Sequence, residues 1–185
     1  MKKRKSAPST KKRPSRLALQ DIWPQERDFF ERPERLRYVR KLIPDQGCVF
    51  CSAEKHGEGF GSLCLKRESK TLIVMNKYPY NTGHLLILPR RHVADLWDLD
   101  LKETHELAEW IQTSLKILKS VYSCDGFNIG LNHGAVAGAG IPQHIHWHVV
   151  PRWKGDTNFF PLIAETKVLP ETLEQSYNKL KEHFA

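Results

Sequence analysis

The elements legible in the chain run strands, long helix, strands, closing helix, an order that predicts an α+β fold with an antiparallel sheet. Three observations carry that expectation. Thr71 to Met75 and Gly83 to Pro89 are short apolar runs bounded by polar or turn residues, as strands are. Asp100, with Glu103 three residues on, opens a stretch whose apolar positions Leu101, Ala108, Ile111, Leu115, Leu118 and Tyr122 fit helical spacing. From His144 to Val149, imidazoles alternate with Ile145, Trp147 and Val149, a period of two that belongs to a strand.

In chain order, residues 1–20 are rich in Lys, Arg, Ser and Pro and read as a disordered basic tail. Residues 21–46 mix aromatic and charged side chains and form an N-terminal extension, with a short helix expected over Glu34 to Leu42. The domain proper is expected over 47–185. Cys48-Val-Phe-Cys51 begins it as a turn, and His56 to Gly61 is a glycine-rich connector. Leu63 to Arg67 and Thr71 to Met75 pair as strands, and Gly83 to Pro89 adds a third. Val93 to Trp97 reads as a short helical turn before the long helix, which Asp125-Gly126 ends. Phe127 to Leu131 is a strand, Gly134 to Gly140 a small-residue loop, and Pro170 to Phe184 an amphipathic helix.

A chain of 185 residues fits one domain with a sizeable core. Its net charge of +8 is local: residues 1–16 hold eight of the 29 basic residues and none of the 21 acidic ones, so the rest is balanced. A basic tail on a neutral domain does not describe a dedicated DNA-binding fold. The tail is either a solvated leader or an arm for weak, salt-sensitive contact with nucleic acid. No apolar run approaches the ~20 residues that span a bilayer, and the leader lacks the apolar core of a secretory signal. The expected location is cytoplasmic. The four cysteines there do not predict a disulfide framework.

On a strand, His144, His146 and His148 share one face at a spacing of roughly 6.6 Å. Ile145, Trp147 and Val149 then face the core. Desolvating three imidazoles gains a sheet nothing. A surface or metal-binding cluster is one reading, and a nucleophile with helpers accounts better for the row. Cys48 and Cys51 have metal-ligand spacing; a redox pair is the other reading, but no βαβ pattern surrounds it.

His144-Ile-His-Trp-His-Val-Val150 resembles the signature of the histidine triad (HIT) proteins, which are nucleotide hydrolases and transferases. Asn76 to Pro89 resembles that family's second block, and Cys48-Val-Phe-Cys51 the entry motif of its zinc-containing members. The matches run from Cys48 to Asn158. The resemblance implies a five-stranded antiparallel sheet with one long and one C-terminal helix, in a homodimer. It implies that His146 is the nucleophile, that His148 stabilises charge on a phosphate oxygen, and that His84 completes the site. A neutral imidazole, with an ordinary pKa of ~6.5, suits attack on phosphorus and would store the nucleotide as a phosphoramidate. Asn76 corresponds to a ribose ligand, Val74 and Leu86 to walls of the base site, and Asn132 to a polar position beside the phosphate. Gly134 to Gly140 offers main-chain N–H groups to phosphate oxygens. Structural zinc is implied on Cys48, Cys51, His92 and His144, with no organic cofactor.

Where many triad hydrolases carry Gln followed by Ser or Thr, this chain has Gly140-Ile-Pro-Gln143. With Pro151 to Phe159, that stretch resembles the bacterial branch related to diadenosine tetraphosphate phosphorylases. His148 stands where the related uridylyltransferases have Gln, which argues against uridylyl transfer. Trp153 either stacks on a base or packs against the domain. The expected activity is cleavage at the α-phosphate of an adenine nucleotide or dinucleoside polyphosphate, by phosphate or by water. The alternatives are a nucleoside phosphoramidate or aminoacyl-adenylate hydrolase, and a non-catalytic zinc-stabilised nucleotide-binding module.

Overall fold

A computed structural model describes residues 47–156 and 169–184. The expected tail (1–20), the extension with its helix (21–46), and the motif residues from Thr157 to Phe159 lie outside those residues. Among the described residues five strands form one antiparallel sheet: β1 (Cys64–Arg67), β2 (Thr71–Met75), β3 (Leu85–Pro89), β4 (Gly126–Leu131) and β5 (Trp147–Arg152). Their order is β1-β2-β3-β5-β4. Three helices accompany them: α1 (Val49–His56), α2 (Leu101–Tyr122) and α3 (Leu173–Lys181). The expected α+β fold is the observed one. No helix of the described residues is long and apolar enough to cross a membrane.

Alternation along the strands makes two apolar layers. Ile73 and Met75 of β2, Leu85 and Ile87 of β3 and Val149 of β5 pack against Leu107 and Leu118 of α2 and Tyr177, Leu180 and Phe184 around α3. The intervening residues Leu72, Val74, Leu86 and Leu88 face the other way, onto Phe50 and Ala53 of α1. Each such fully buried side chain stabilises the fold by roughly 1.5–3 kcal/mol. The second face is thinner, and it carries the histidines.

The capping box forms as expected: Asp100 Oδ1 accepts the Glu103 N–H at 2.7 Å, and Glu103 Oε2 accepts the Asp100 N–H at 2.9 Å. The buried stripe of α2, however, is Glu103, Leu107, Ser114 and Leu118, while Leu101 and Ala108 face solvent. Glu103 turns inward because its carboxylate receives two bonds from Arg91, at 2.6 and 3.0 Å, and this rotates the stripe by about one residue. Two further expectations need correction. The Cys-x-x-Cys stretch is the first turn of α1 rather than a free turn, and the short turn before α2 is Leu96–Asp98, after an extended Asp95.

Candidate active site and metal centre

The expected triad strand starts at Trp147, so His144, Ile145 and His146 lead into β5 instead of lying on it. Proline explains the shortening. β3 ends at Pro89, which has no N–H to extend the ladder beyond Ile87 opposite Trp147. The Ile145 N–H donates instead to the Val93 carbonyl at 2.8 Å, which turns the lead-in toward the loop after β3. The side-chain alternation survives. Ile145 and Val149 are buried, Trp147 packs on the helix side, and the three imidazoles share the other side.

Each imidazole meets a group that fixes its tautomer. His146 Nδ1 lies 2.8 Å from the His144 carbonyl, an acceptor, so Nδ1 carries the proton and Nε2 the lone pair. His144 Nε2 lies 2.8 Å from the Pro89 carbonyl, which leaves its lone pair on Nδ1. His84 Nδ1 receives the Tyr80 N–H at 3.0 Å and faces the Asn76 amide nitrogen at 3.3 Å. Its proton therefore sits on Nε2, which donates to His148 Nδ1 at 2.9 Å and leaves the His148 proton on Nε2.

These four rings form a continuous row. Ring centres are 5.1 Å apart for His84–His148 and 5.2 Å for His146–His148, and the Phe50 ring contacts both His144 and His146 at 5.4 and 4.9 Å. Burial disfavours the charged forms of His84, His144 and His146. It pulls the His84 pKa down to about 3, helped by the nearby charge of His148, and it lowers that of His146 as well. A neutral His146 keeps its lone pair on Nε2.

The residue before His84 is glycine for a local reason. Gly83 has φ +73°, and a Cβ there would stand 2.8 Å from the Tyr122 ring. Only glycine lets the loop press on α2 and still deliver His84 to the sheet.

At the other end of the row, Cys48, Cys51, His92 and His144 are placed to bind a metal, with one donor atom from each lying within 4.8 Å of the others. His144 Nδ1 is 3.4 Å from Cys48 Sγ and 3.7 Å from Cys51 Sγ, and His92 Nδ1 is 3.3 Å from Cys51 Sγ. A tetrahedral zinc with ordinary Zn–S and Zn–N bonds sets sulfur–nitrogen edges of about 3.6 Å. The donor set fits that edge. The His144 tautomer also presents its lone pair to the cluster. Burial and the adjacent Cys48 thiol raise the Cys51 pKa, a cost that a bound cation offsets by stabilising the thiolate. The cluster is also braced from outside, since Glu54 of α1 accepts from Arg90 at 2.6 Å and from Arg67 at 2.9 Å.

Of the other expected residues, Val74 and Leu86 are paired across β2 and β3, and Leu86 is opposite His148. Both are buried in the layer under α1. Asn76 is half-buried, with its oxygen accepting the Tyr78 N–H at 2.9 Å and its amide nitrogen facing His84. Asn132 is half-buried and Gly140 and Gln143 are exposed on the approach to the row; neither Asn132 nor Gln143 makes a side-chain hydrogen bond among the described residues. In the small-residue loop, the Gly138 and Ala139 N–H groups bond to the Ala135 and Gly134 carbonyls, so those two do not face a ligand. Trp153 packs: its indole N–H donates to the Tyr122 carbonyl at 3.2 Å. Sequence reasoning missed Phe50 and Tyr80, the two rings that line the row. No local period marks either one, although both lie inside motifs read for other residues.

Comparisons with known proteins agree with this geometry. The family model described as HIT domain matches residues 62–155. The chain is 42% identical over 123 residues to a Mycobacterium tuberculosis protein named AP-4-A phosphorylase, covering 66% of this chain and 63% of that relative. It thus spans somewhat less than two thirds of that relative's length. It is also 33% identical over 96 residues to a Schizosaccharomyces pombe bis(5'-nucleosyl)-tetraphosphatase, over 52% of each chain. Among solved structures, a zinc-bound histidine triad family protein from Mycobacterium smegmatis superposes with a TM-score of 0.61 and 27% identity, covering 76% of this chain and 94% of that one. A histidine triad nucleotide-binding protein from Sulfolobus tokodaii gives a TM-score of 0.59 at 26% identity, over 74% and 91%.

Proposed function

The chain belongs to the HIT domain family, and we propose that it cleaves adenine dinucleotides such as diadenosine tetraphosphate at the α-phosphate, through a nucleotidyl-His146 intermediate. The observation that carries this reading is the tautomer of His146, whose Nδ1–H is held by the His144 carbonyl so that Nε2 is the nucleophile. Its similarity to a named AP-4-A phosphorylase supports the substrate.

In the first step His146 Nε2 attacks the α-phosphorus. The P–N bond forms, the P–O bond to the remaining polyphosphate breaks, and that polyphosphate leaves with the electron pair. The imidazole becomes cationic, and its Nδ1–H bond to the His144 carbonyl strengthens as it does so. The His148 Nε2–H, oriented through His84, is a donor to the developing charge on a phosphate oxygen. In the second step an oxygen of water or inorganic phosphate attacks the same phosphorus, and the P–N bond breaks. Water yields a nucleoside monophosphate and phosphate a nucleoside diphosphate. Asn76 is assigned to the ribose, Val74 and Leu86 to the floor beneath the base, and Asn132, Gly140 and Gln143 to the phosphates.

The metal on Cys48, Cys51, His92 and His144 is read as zinc. Its chemistry is structural: it joins α1 and the loop after β3 to the residue whose carbonyl orients His146. We further read the enzyme as a cytoplasmic homodimer, its basic tail available for weak contact with nucleic acid. The unpaired outer edge of β4 among the described residues, with Asn128 to Gly130 exposed, supports a partner there.

Product analysis with diadenosine tetraphosphate tests the reading, with and without inorganic phosphate and with His146→Ala as control. Adenosine diphosphate formed only in phosphate identifies a phosphorylase, and adenosine monophosphate in either buffer a hydrolase. No turnover in either buffer overturns the substrate assignment and moves phosphoramidates and aminoacyl-adenylates to the front. Turnover by His146→Ala at the wild-type rate leaves only a binding module.

A further inference from the structure

Between Asn76 and His84 the chain makes a tight loop, fastened at both ends. Asn76 closes one end, its N–H donating to the His84 carbonyl at 3.0 Å. Asn81, 5% exposed, closes the other by donating to the Pro151 carbonyl and to Asp156 Oδ2, both at 2.9 Å. Arg152 holds that same Asp156 with two bonds of 2.6 Å. The turn after β5 thus has a task that the sequence motif alone did not disclose: it anchors the loop that carries His84.

At the middle of this clamped loop is Tyr80. Its N–H fixes the His84 tautomer, and its ring lies 4.8 Å from the His84 ring and 5.8 Å from that of His148, nearly parallel to the latter at 17°. A ring 44% exposed to solvent normally gains little by such rigid placement. Here it covers one face of an imidazole pair, and the water it displaces would otherwise compete for the bond between them. Excluding water from that face strengthens the His84–His148 bond and narrows the swing of His148.

We propose that Tyr80 is a positioning residue that holds His148 with its Nε2–H turned toward the reacting phosphate. The proposal rests on the nucleotidyl-transfer reading for its kinetic test only. With diadenosine tetraphosphate, Tyr80→Ala is expected to lower kcat on the order of tenfold with KM little changed, since a small misplacement of a donor costs that much. Tyr80→Phe keeps the ring and is expected to stay within about threefold of wild type. In a His148→Ala background, Tyr80→Ala is expected to cost nothing more, because the residue through which it acts is gone.

A second readout needs no substrate. Nitrogen-15 imidazole spectra of the full chain should show the His84 Nε2 proton exchanging with water about tenfold faster in Tyr80→Ala than in wild type or Tyr80→Phe. Equal losses in Tyr80→Phe and Tyr80→Ala, a rise in KM alone, additivity with His148→Ala, or unchanged proton exchange would each overturn the proposal. If wild type fails to turn over the dinucleotide, the functional reading falls, and the exchange measurement still decides the role of Tyr80.

Discussion

His144 and His148 flank the proposed nucleophile, His146, from opposite ends of a short row, and opposite devices hold them. His144 bonds to a main-chain carbonyl and sits among thiols from a helix 96 positions earlier in the chain. His148 leans on another imidazole, supplied by the loop that leads into β3, and on an exposed aromatic ring. The first end ties distant segments together, so its integrity belongs to the stability of the fold. The second end adjusts one N–H within an already paired sheet, so its integrity belongs to the chemistry. Damage at the two ends should therefore be read by different instruments.

The largest effect lies at the pivot. His146→Ala should lower kcat by at least about 10⁴-fold, because neither end supplies another nucleophile. Its urea midpoint should stay close to wild type. A rate that survives would remove the reason for comparing the ends at all. Next comes the divergence itself. Cys51→Ser should cost roughly 3 kcal/mol or more of stability and lower the metal content seen by native mass spectrometry. His148→Asn should lower kcat about 10²- to 10⁴-fold while shifting stability by less than about 1 kcal/mol. Measured side by side, a stable but inactive Cys51→Ser and a strongly destabilised His148→Asn that keeps the wild-type kcat would reverse the assignment.

Gly83→Ala probes how the chemical end depends on backbone. The added methyl meets the Tyr122 ring at 2.8 Å in a left-handed conformation. A loss of about 1–3 kcal/mol is expected, with a fall in kcat as His84 is displaced. Thermal melting and steady-state rates on one preparation check both halves; a variant that melts like wild type would show that the loop tolerates movement.

How much of this was legible depends on how local the cause is. The first four strands and the capping box were readable to within a residue or two, because alternation and the Asp100–Glu103 spacing are properties of short stretches; the triad strand starts three residues late, at Trp147, because Pro89 lies outside it. The helical turn at Cys48 was not: Cys48 makes no side-chain cap, so nothing local announces α1. His92 and His144 joined the cysteines only through family resemblance, since no spacing rule links ligands so far apart. The rotated face of α2 follows from Arg91, outside the helix. Tyr80 and Phe50 act by packing across the sheet, and packing of that kind leaves no period in the sequence.

The smallest effect, and the one that separates the ends most finely, is proton linkage at His84. Burial holds its pKa at about 3 against an ordinary 6.5, so the fold favours the neutral ring. The unfolded chain then binds the extra proton first as pH falls. The stability contributed by His84 is complete above pH 6.5, declines as pH drops from 6.5 toward 3, and is gone below that range. For one proton the slope cannot exceed about 1.4 kcal/mol per pH unit. Acid would also release a metal held at the other end, which would steepen the total curve in both wild type and any His84 variant. The informative quantity is therefore the difference between wild type and His84→Asn in urea midpoints from pH 7 to pH 4. That difference should shrink steadily below pH 6.5, because asparagine cannot be protonated. A constant difference would mean that His84 is charged in the folded protein, and an imidazolium there cannot accept the Tyr80 N–H that sets the tautomer of the pair.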